Sequence, residues 1–524
     1  MVSWEVIHKA SIFIAEEMGV ALKRSALSPN IRERIDLSCV VADSHGDIVA
    51  QAEHIPVHLG SFRIGLYQTL NYLKNNDIVM NDGDIIVLND PYIAGTHLND
   101  IMVLAPVYWN GEVVAYVANK AHHVDVGGPV PGSINPEAKT LYEEGLVIPP
   151  VKLAEKWSIR RDVVNFIVSN VKTPEITIGD LLAQYAAVKI GIHRVQELFN
   201  RYGFKNVNEA WRRAVEYSRT KTLKALETYS FSSSEAEDYI ELNDNDLVIR
   251  ARVEISSKGV RIDYTGSSNQ VSSPLNAVFG VTYAASVFSI MLFLGGDIPV
   301  NEGFYSLIEV SAPEESILNP RKPAPVSGGN LETSQRIVDT VLKAFSKIDP
   351  LKTPAAGSGT MMNIMIGGFS EKTGYWAFYE TVGGGSGGRY GKHGVSGVHV
   401  NMTNTLNTPI EVAERNYPIM YTVYRIREGS GGDGLYRGGE GLMRGFIVRE
   451  KAVLSILADR FRHKPYGLLG GEPGAPARVV IRMGGRELVM PSKFVIQIEA
   501  GDEVLIETPG GGGWGLKSNF KSSG

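Results

Sequence analysis

The chain has 524 residues, with 52 Lys+Arg against 57 Asp+Glu and a formal charge of −5. That length suits about three or four structural units, and 44% hydrophobic with 21% charged residues describes a globular chain, not a disordered one. The slightly acidic balance argues against a nucleic-acid partner. A single cysteine, Cys39, excludes an internal disulfide framework and every multi-cysteine zinc module.

Apolar positions Val6, Ile7, Ala10, Ile14, Met18, Ala21 and Leu22 predict a helix over residues 1–25. Glu16 and Glu17 lie inside it, so it reads as a helix and not as a signal peptide. Strands are predicted at 36–42, 47–51, 85–88, 102–108 and 113–119, the last two joined by an Asn110-Gly111 hairpin turn. Helical periodicity marks 62–73, 178–202 and 207–229, and strand patterning returns at 247–255 and 260–264. Helices follow near 280–294 and 331–347. The uncharged run 270–296 has the length of a membrane span, but Pro274, Asn276, Thr282 and Tyr283 inside it favour a buried helix. The last hundred residues read as strands separated by glycine-rich turns.

The expected fold is therefore α+β (mixed α/β), with several packed units in one body and a β-rich C-terminal region. Residues 1–230 form a mixed α/β region, 231–415 continue the α/β core with glycine-rich motifs, 416–515 are β-rich, and 516–524 are a tail.

Two glycine runs invite a nucleotide reading. GGGSGG at 383–388 has the letters of a dinucleotide fingerprint, yet the following RYGKHGVSG cannot open the helix that the fingerprint needs. PGGGGWGLK at 509–517 has Leu516 where a phosphate loop requires glycine before its lysine. Both are read as turns or close backbone approaches, so no ATP site of that type is expected in this chain.

The histidines carry more information. THLND at 96–100 offers His97 and Asp100, and AHHVDVGG at 121–128 offers His122, His123 and Asp125. Neighbouring hairpin strands can bring these two loops to one end of a sheet, giving a mixed nitrogen and oxygen set suited to Mn²⁺, Fe²⁺ or Zn²⁺. Ordinary hydrogen-bonded structural histidines are the equal alternative. His54 and His58 are four apart, but Pro56 between them predicts an extended segment, read as a loop closing over the site. Cys39 has no Lys, Arg or His within three residues and reads as a buried structural thiol.

Long ordered motifs run through the whole chain: SPNIRERIDLS (28–38), AQAEHIPVHLGS (50–61), NDPYIAGTHLND (89–100), AHHVDVGGPVPGS (121–133) and EGLVIPP (144–150). GGNLETSQR (328–336), ETVGGGSGG (380–388), HVNMTNTLNTPIE (399–411) and TPGGGGWG (508–515) follow. Over about residues 1–515 the chain resembles the hydantoinase B/oxoprolinase family. That resemblance implies a cytoplasmic catalytic B-type subunit of an ATP-dependent amidohydrolase, opening a cyclic amide of the hydantoin or 5-oxoproline kind. The partner, a hydantoinase A-type subunit, binds the ATP and activates the substrate. In the related acetone carboxylase branch, this chain type holds a metal on positions that fall here on His97, Asp100 and His122.

Asp36, or Glu33 in its place, is the matching position for a further acidic ligand, and His123 does not match the motif. A divalent ion, Mn²⁺ or Zn²⁺, is the implied cofactor, polarising a carbonyl or activating water. Asp125 is expected to orient His122 or to act as general base, making Asp125 and His122 the catalytic candidates. His54, His58, Asn330, Glu332 and His399 are expected to line the substrate site. Two alternatives stand beside this reading: a subunit of an ATP-dependent ketone carboxylase, with a small third subunit, or a stand-alone metal-dependent oxygenase or binding protein. No nucleic-acid or membrane partner is expected.

Overall fold

The computed structural model describes residues 3–52, 54–243, 245–372 and 374–517. Its first layer is built from α1 (Trp4–Ser25), α2 (Pro29–Arg32), β1 (Leu37–Asp43), β2 (Ile48–Ala52), α3 (Pro56–Asn75), β3 (Ile85–Leu88), α4 (Pro91–Ala94), β4 (Asp100–Trp109), β5 (Glu112–His122), β6 (Val151–Glu155) and β7 (Ser158–Ile159). The seven strands form one antiparallel sheet in the order β2-β1-β5-β4-β3-β6-β7. β1, β3 and β4 are buried along nearly their whole length, which explains their continuous Val, Ile, Leu and Ala runs.

Helices cover this sheet. α5 (Arg161–Val168), α6 (Pro174–Tyr202) and α7 (Phe204–Leu226) follow, and α1 packs its Ile7, Ile14, Met18 and Leu22 stripe among α6, α7, β1 and β2. Gly191 on α6 is the point of closest approach, since a Cβ there would collide with the Met18 sulfur.

A second sheet, β11-β10-β9-β8, comes from β8 (Ser232–Leu242), β9 (Asn245–Ser256), β10 (Gly259–Asp263) and β11 (Ile308–Ser311). The insertion between β10 and β11 carries α8 (Phe279–Leu294) and α9 (Glu302–Tyr305). Among the described residues no helix is long and apolar enough to cross a membrane. α8 is a core helix wedged between α3 and α10 (Ser334–Ile348), where Phe293 stacks on Phe345 at 4.2 Å. A π-helical turn, Gly329–Thr333, leads into α10.

The C-terminal part comprises β12 (Asn363–Ser370), β13 (Gly374–Thr381), α11 (Ile410–Asn416), β14 (Ile419–Arg427), β15 (Gly441–Val448), β16 (Ala452–Leu457), β17 (Arg478–Met483), β18 (Arg486–Met490), β19 (Lys493–Ile498) and β20 (Glu503–Glu507). These strands form the antiparallel sheets β13-β12-β16-β19 and β14-β15-β20-β17-β18. One apolar cluster extends from Ile7 to Phe345 without a break at residue 230, and takes in Met365, Tyr379 and Leu457. A second joins the two C-terminal sheets. Buried ion pairs fasten the halves: Arg336 to Asp459 at 2.8 Å, and Arg460 to Asp238 at 3.0 Å and Asp339 at 2.6 Å.

The glycine runs pack on one another. Segments 383–388, 430–439, 467–474 and 509–515 cross with their backbones in contact, and a Cβ on Gly385 would collide with the Gly439 carbonyl. Gly385 N–H donates to Pro509 O, and Gly511 N–H to Gly439 O. Glycine is required there for close packing, and the 383–388 run does not open a helix. Of the expected tail 516–524, residues 518–524 lie outside the described residues.

Candidate metal centre

Sheet register builds the site. Asp100 begins β4, His122 ends β5, and the antiparallel ladder places them directly opposite each other. Leu37, the first residue of β1, pairs with Ala121, so the preceding Asp36 reaches the same end of the sheet, where its carbonyl accepts His122 N–H at 3.0 Å. His97 sits one turn before Asp100, with Asp100 N–H donating to His97 O at 3.1 Å.

His97 Nε2, Asp100 Oδ1 and His122 Nδ1 converge, and the ligand atoms of this trio lie within 4.8 Å of one another. The two nitrogens are 3.2 Å apart, and each approaches Asp100 Oδ1, at 3.2 Å for His97 and 3.4 Å for His122. Asp36 Oδ2 stands 3.8 Å from His122 Nδ1. All four side chains are buried. One carboxylate oxygen facing two imidazole nitrogens is a donor set for a cation of the Mn²⁺ or Zn²⁺ type.

Charge and burial are balanced within the cluster. Burial alone would raise Asp100, but the imidazoles of His97 and His58 and the hydrogen bond to His122 hold its carboxyl well below the usual range. Burial pushes His122 down, against the partial opposition of Asp36. The cluster thus favours an ionised carboxylate beside an uncharged imidazole, the forms that bind metal. His97 Nδ1 and His122 Nε2, on the far sides of the rings, have no hydrogen-bond partner among the described residues.

Asp36 owes its position to strained backbone. Ile35 has φ +58°, a left-handed conformation that a β-branched residue adopts at a cost of roughly 1–3 kcal/mol. The turn there carries Arg34 and Asp36 to the same cavity. Arg34 is fully buried, 3.8 Å from Asp36 Oδ2, and donates to Thr381 Oγ1 at 3.0 Å and to Tyr379 O at 3.4 Å. The cavity holds about 20 Å³, room for roughly one water-sized species. Asp36, His58, Asp100, His122, Asn330 and Tyr379 are among its walls.

Several expectations are corrected. Residues 56–58 do not form an extended loop: Pro56 occupies the first turn of α3, where its missing N–H costs nothing. His58, on that turn, reaches the cluster with Nε2 3.3 Å from Asp100 Oδ2. His54 lies before the helix and lines a separate cavity of about 500 Å³ with His8, Glu16 and Gln51. Asp125 does not touch His122. Its carboxylate accepts the N–H groups of Gly127, Gly132 and Lys172 and pairs with the Lys172 ammonium at 3.3 Å, so it organises the 125–133 loop.

Glu33 is half-buried at the end of α2 and lies outside the cavity wall. His123 turns away and pairs with Gln184 Oε1 at 2.9 Å. Glu332 sits behind the wall, accepting Asn363 Nδ2 at 2.8 Å, and burial with the nearby Asp459 pushes it up to about 8. His399 is half-buried outside the cavity wall, pushed down to about 3 by desolvation and then by Arg34. Arg34, Tyr379 and Thr381 were absent from the sequence-derived set, because no local pattern links β13 to the β1 entrance. Cys39 is fully buried and its thiol is pushed up by desolvation.

The chain matches the family model for hydantoinase B/oxoprolinase over residues 1–517. It is 49% identical to an uncharacterized protein of Methanocaldococcus jannaschii, over 98% of this chain and 90% of that one. It is 36% identical to 5-oxoprolinase 1 of Arabidopsis thaliana over 96% of this chain, but spans only 41% of that longer protein. The structure of an ATP-dependent caprolactamase from Pseudomonas jessenii superposes with a TM-score of 0.90 at 25% identity, covering 98% of this chain and 90% of the other. A nucleotide-free acetone carboxylase shares the fold, with a TM-score of 0.88 at 19% identity over 98% of this chain and 75% of the other. By these likenesses and by the motifs that build the buried cluster, the chain belongs to the hydantoinase B/oxoprolinase family.

Proposed function

We propose that this chain is the ring-opening component of an ATP-dependent amidohydrolase acting on a cyclic amide, and that a separate hydantoinase A-type subunit binds ATP and activates the substrate. The observation that carries the reading is the convergence of His97 Nε2, Asp100 Oδ1 and His122 Nδ1 at one end of the sheet. The likeness to 5-oxoprolinases and to a caprolactamase supports the substrate class. The mutual packing of the glycine runs supports placing ATP on the partner, since their backbone N–H groups serve each other's carbonyls.

His97, Asp100 and His122 would hold a divalent ion, with Asp36 at its edge. Such an ion supplies Lewis acidity for an amide carbonyl or for water. This chain's residues prepare the surroundings. Asp100 and Asp36 bring the negative charge that a cation needs, and Arg34 fixes Asp36 from the other side. Burial keeps bulk water out, which strengthens every charge interaction inside.

The test compares ATP consumed with ring opened, in the complex, on 5-oxoproline, hydantoin and caprolactam. The chain alone should turn over no ATP. In the complex His122→Ala should keep ATP consumption while losing ring opening. Equal loss of both activities, with the complex intact and metal retained, would refute the two-site scheme. Bicarbonate-dependent product from a ketone would instead place the chain with the carboxylases, and full activity without any partner would favour a stand-alone enzyme.

A further inference from the structure

His58 lies outside the converging trio, yet its surroundings are specific. It is fully buried on the first turn of α3, with Nε2 3.3 Å from Asp100 Oδ2 and Nδ1 3.1 Å from Ser38 Oγ. Among the described residues no formed hydrogen bond reaches either His58 Nε2 or Asp100 Oδ2, so the two buried polar atoms have only this 3.3 Å approach to each other. Asp100 thus divides its two oxygens: Oδ1 faces His97 and His122, and Oδ2 faces His58.

An ionised carboxylate only accepts, so the tautomer of His58 that suits this approach carries its proton on Nε2. Ser38 Oγ already accepts Ile55 N–H at 3.2 Å, and its own hydroxyl hydrogen is free to point at His58 Nδ1. Ser38 sits on β1 two residues after Asp36, so the strand that brings Asp36 to the site also sets the tautomer of His58.

Building on the metal reading above, we propose that Ser38 and His58 form a positioning relay that orients Asp100, aiming its Oδ1 at the cation and withholding Oδ2. Partners of this kind around metal ligands are typically worth about 10–100-fold in affinity. His58 is therefore a positioning residue and not a ligand.

The experiment is Mn²⁺ and Zn²⁺ titration of the purified full chain, with melting of the metal-free chain measured in parallel. His58→Leu removes the donor and should weaken binding by about 10–100-fold. His58→Gln keeps an N–H near the Nε2 position and should recover most of that loss. Ser38→Ala should weaken binding less than His58→Leu, with metal-free melting close to wild type. Wild-type affinity in His58→Leu would overturn the relay, as would a Gln variant no better than the Leu variant. Failure of the wild-type chain itself to bind either ion would overturn the metal reading instead, so the two failures are distinguishable.

Discussion

The imidazole of His122 lies flat against the phenol ring of Tyr379, with ring centroids 4.7 Å apart and planes within 8°. This contact joins the last residue of β5 to β13, two strands separated by nearly half of the chain. Because His122 Nε2 has no hydrogen-bond partner among the described residues, the stack does the orienting that a hydrogen bond usually does for a metal-binding histidine. Tyr379 is itself held by its hydroxyl, which donates to Asn363 Oδ1 at 2.9 Å, and Asn363 is anchored on Glu332.

Tyr379→Leu should therefore weaken metal binding on the order of 10-fold, the usual scale for lost orienting contacts. Tyr379→Phe keeps the ring face and should bind close to wild type. Calorimetric titration with Mn²⁺ checks both, and equal affinities in the two variants would show that the stack contributes nothing.

The wild-type chain should carry about one divalent ion, and His97→Ala or Asp100→Ala should remove it. Asp125→Asn should leave metal content unchanged, since its contacts run to Lys172 and the 127–132 backbone. Elemental analysis after dialysis decides both points. An Asp125 variant stripped of metal would restore that residue to the site.

Gly385→Ala should destabilise the protein by about 4 kcal/mol or more, because its Cβ has to occupy the space of the Gly439 carbonyl. Gly391→Ala is the control. That glycine has φ +80° with nothing within 4 Å of a Cβ, so only backbone strain of about 1 kcal/mol applies. Urea unfolding of both variants gives the comparison.

Glu332 has a folded-state value of about 8 against 4.5 for a free glutamate. Between those values the folded chain keeps a proton that the unfolded chain has lost, so this residue's contribution to stability falls as pH rises. Glutamine cannot lose that proton. Glu332→Gln should therefore gain on wild type from pH 5 to pH 8, as measured by denaturant unfolding, and a constant difference would contradict the shift.

His399 titrates with the opposite sign. Its folded-state value is about 3 against 6.5 when free, so between these the unfolded chain binds a proton that the folded chain refuses. Stability falls as pH drops through that window, by up to about 1.4 kcal/mol per unit for this group. His399→Gln should flatten the pH dependence relative to wild type between pH 7 and pH 5. The difference between variant and wild type isolates His399 from the other histidines lowered by burial, among them His8 and His123.

What the chain's own pattern determined is its list of elements and part of its site. The β4–β5 hairpin was legible because alternation around Asn110-Gly111 predicts two paired strands, but the register shift between Val107 and Tyr108, which moves the pairing by one and places Asp100 opposite His122, was not. The long helices α6 and α7 were legible because apolar residues repeat at the helical period over twenty or more positions. Strands β12, β14 and β20 were not legible; GYWAFYE at 374–380 reads as a strand and is β13, but nothing in its pattern ties Tyr379 or Thr381 to the site. Pro56 was read as a breaker, because a proline between two histidines looks the same whether it interrupts a helix or starts one. Only the cap position distinguishes these, and the packing of α3 on α8 fixes it. Asp125 beside His122 suggested partnership, but neighbouring residues leaving a strand point to different sides, and Lys172 claimed the carboxylate. The second half of the centre is wholly tertiary: Arg34 on Thr381, Tyr379 on His122 and His58 on Asp100 are contacts across 42 to 347 positions of separation. Sequence periodicity reports which face of an element is buried, and the choice of what covers that face is made by the packing of the whole chain.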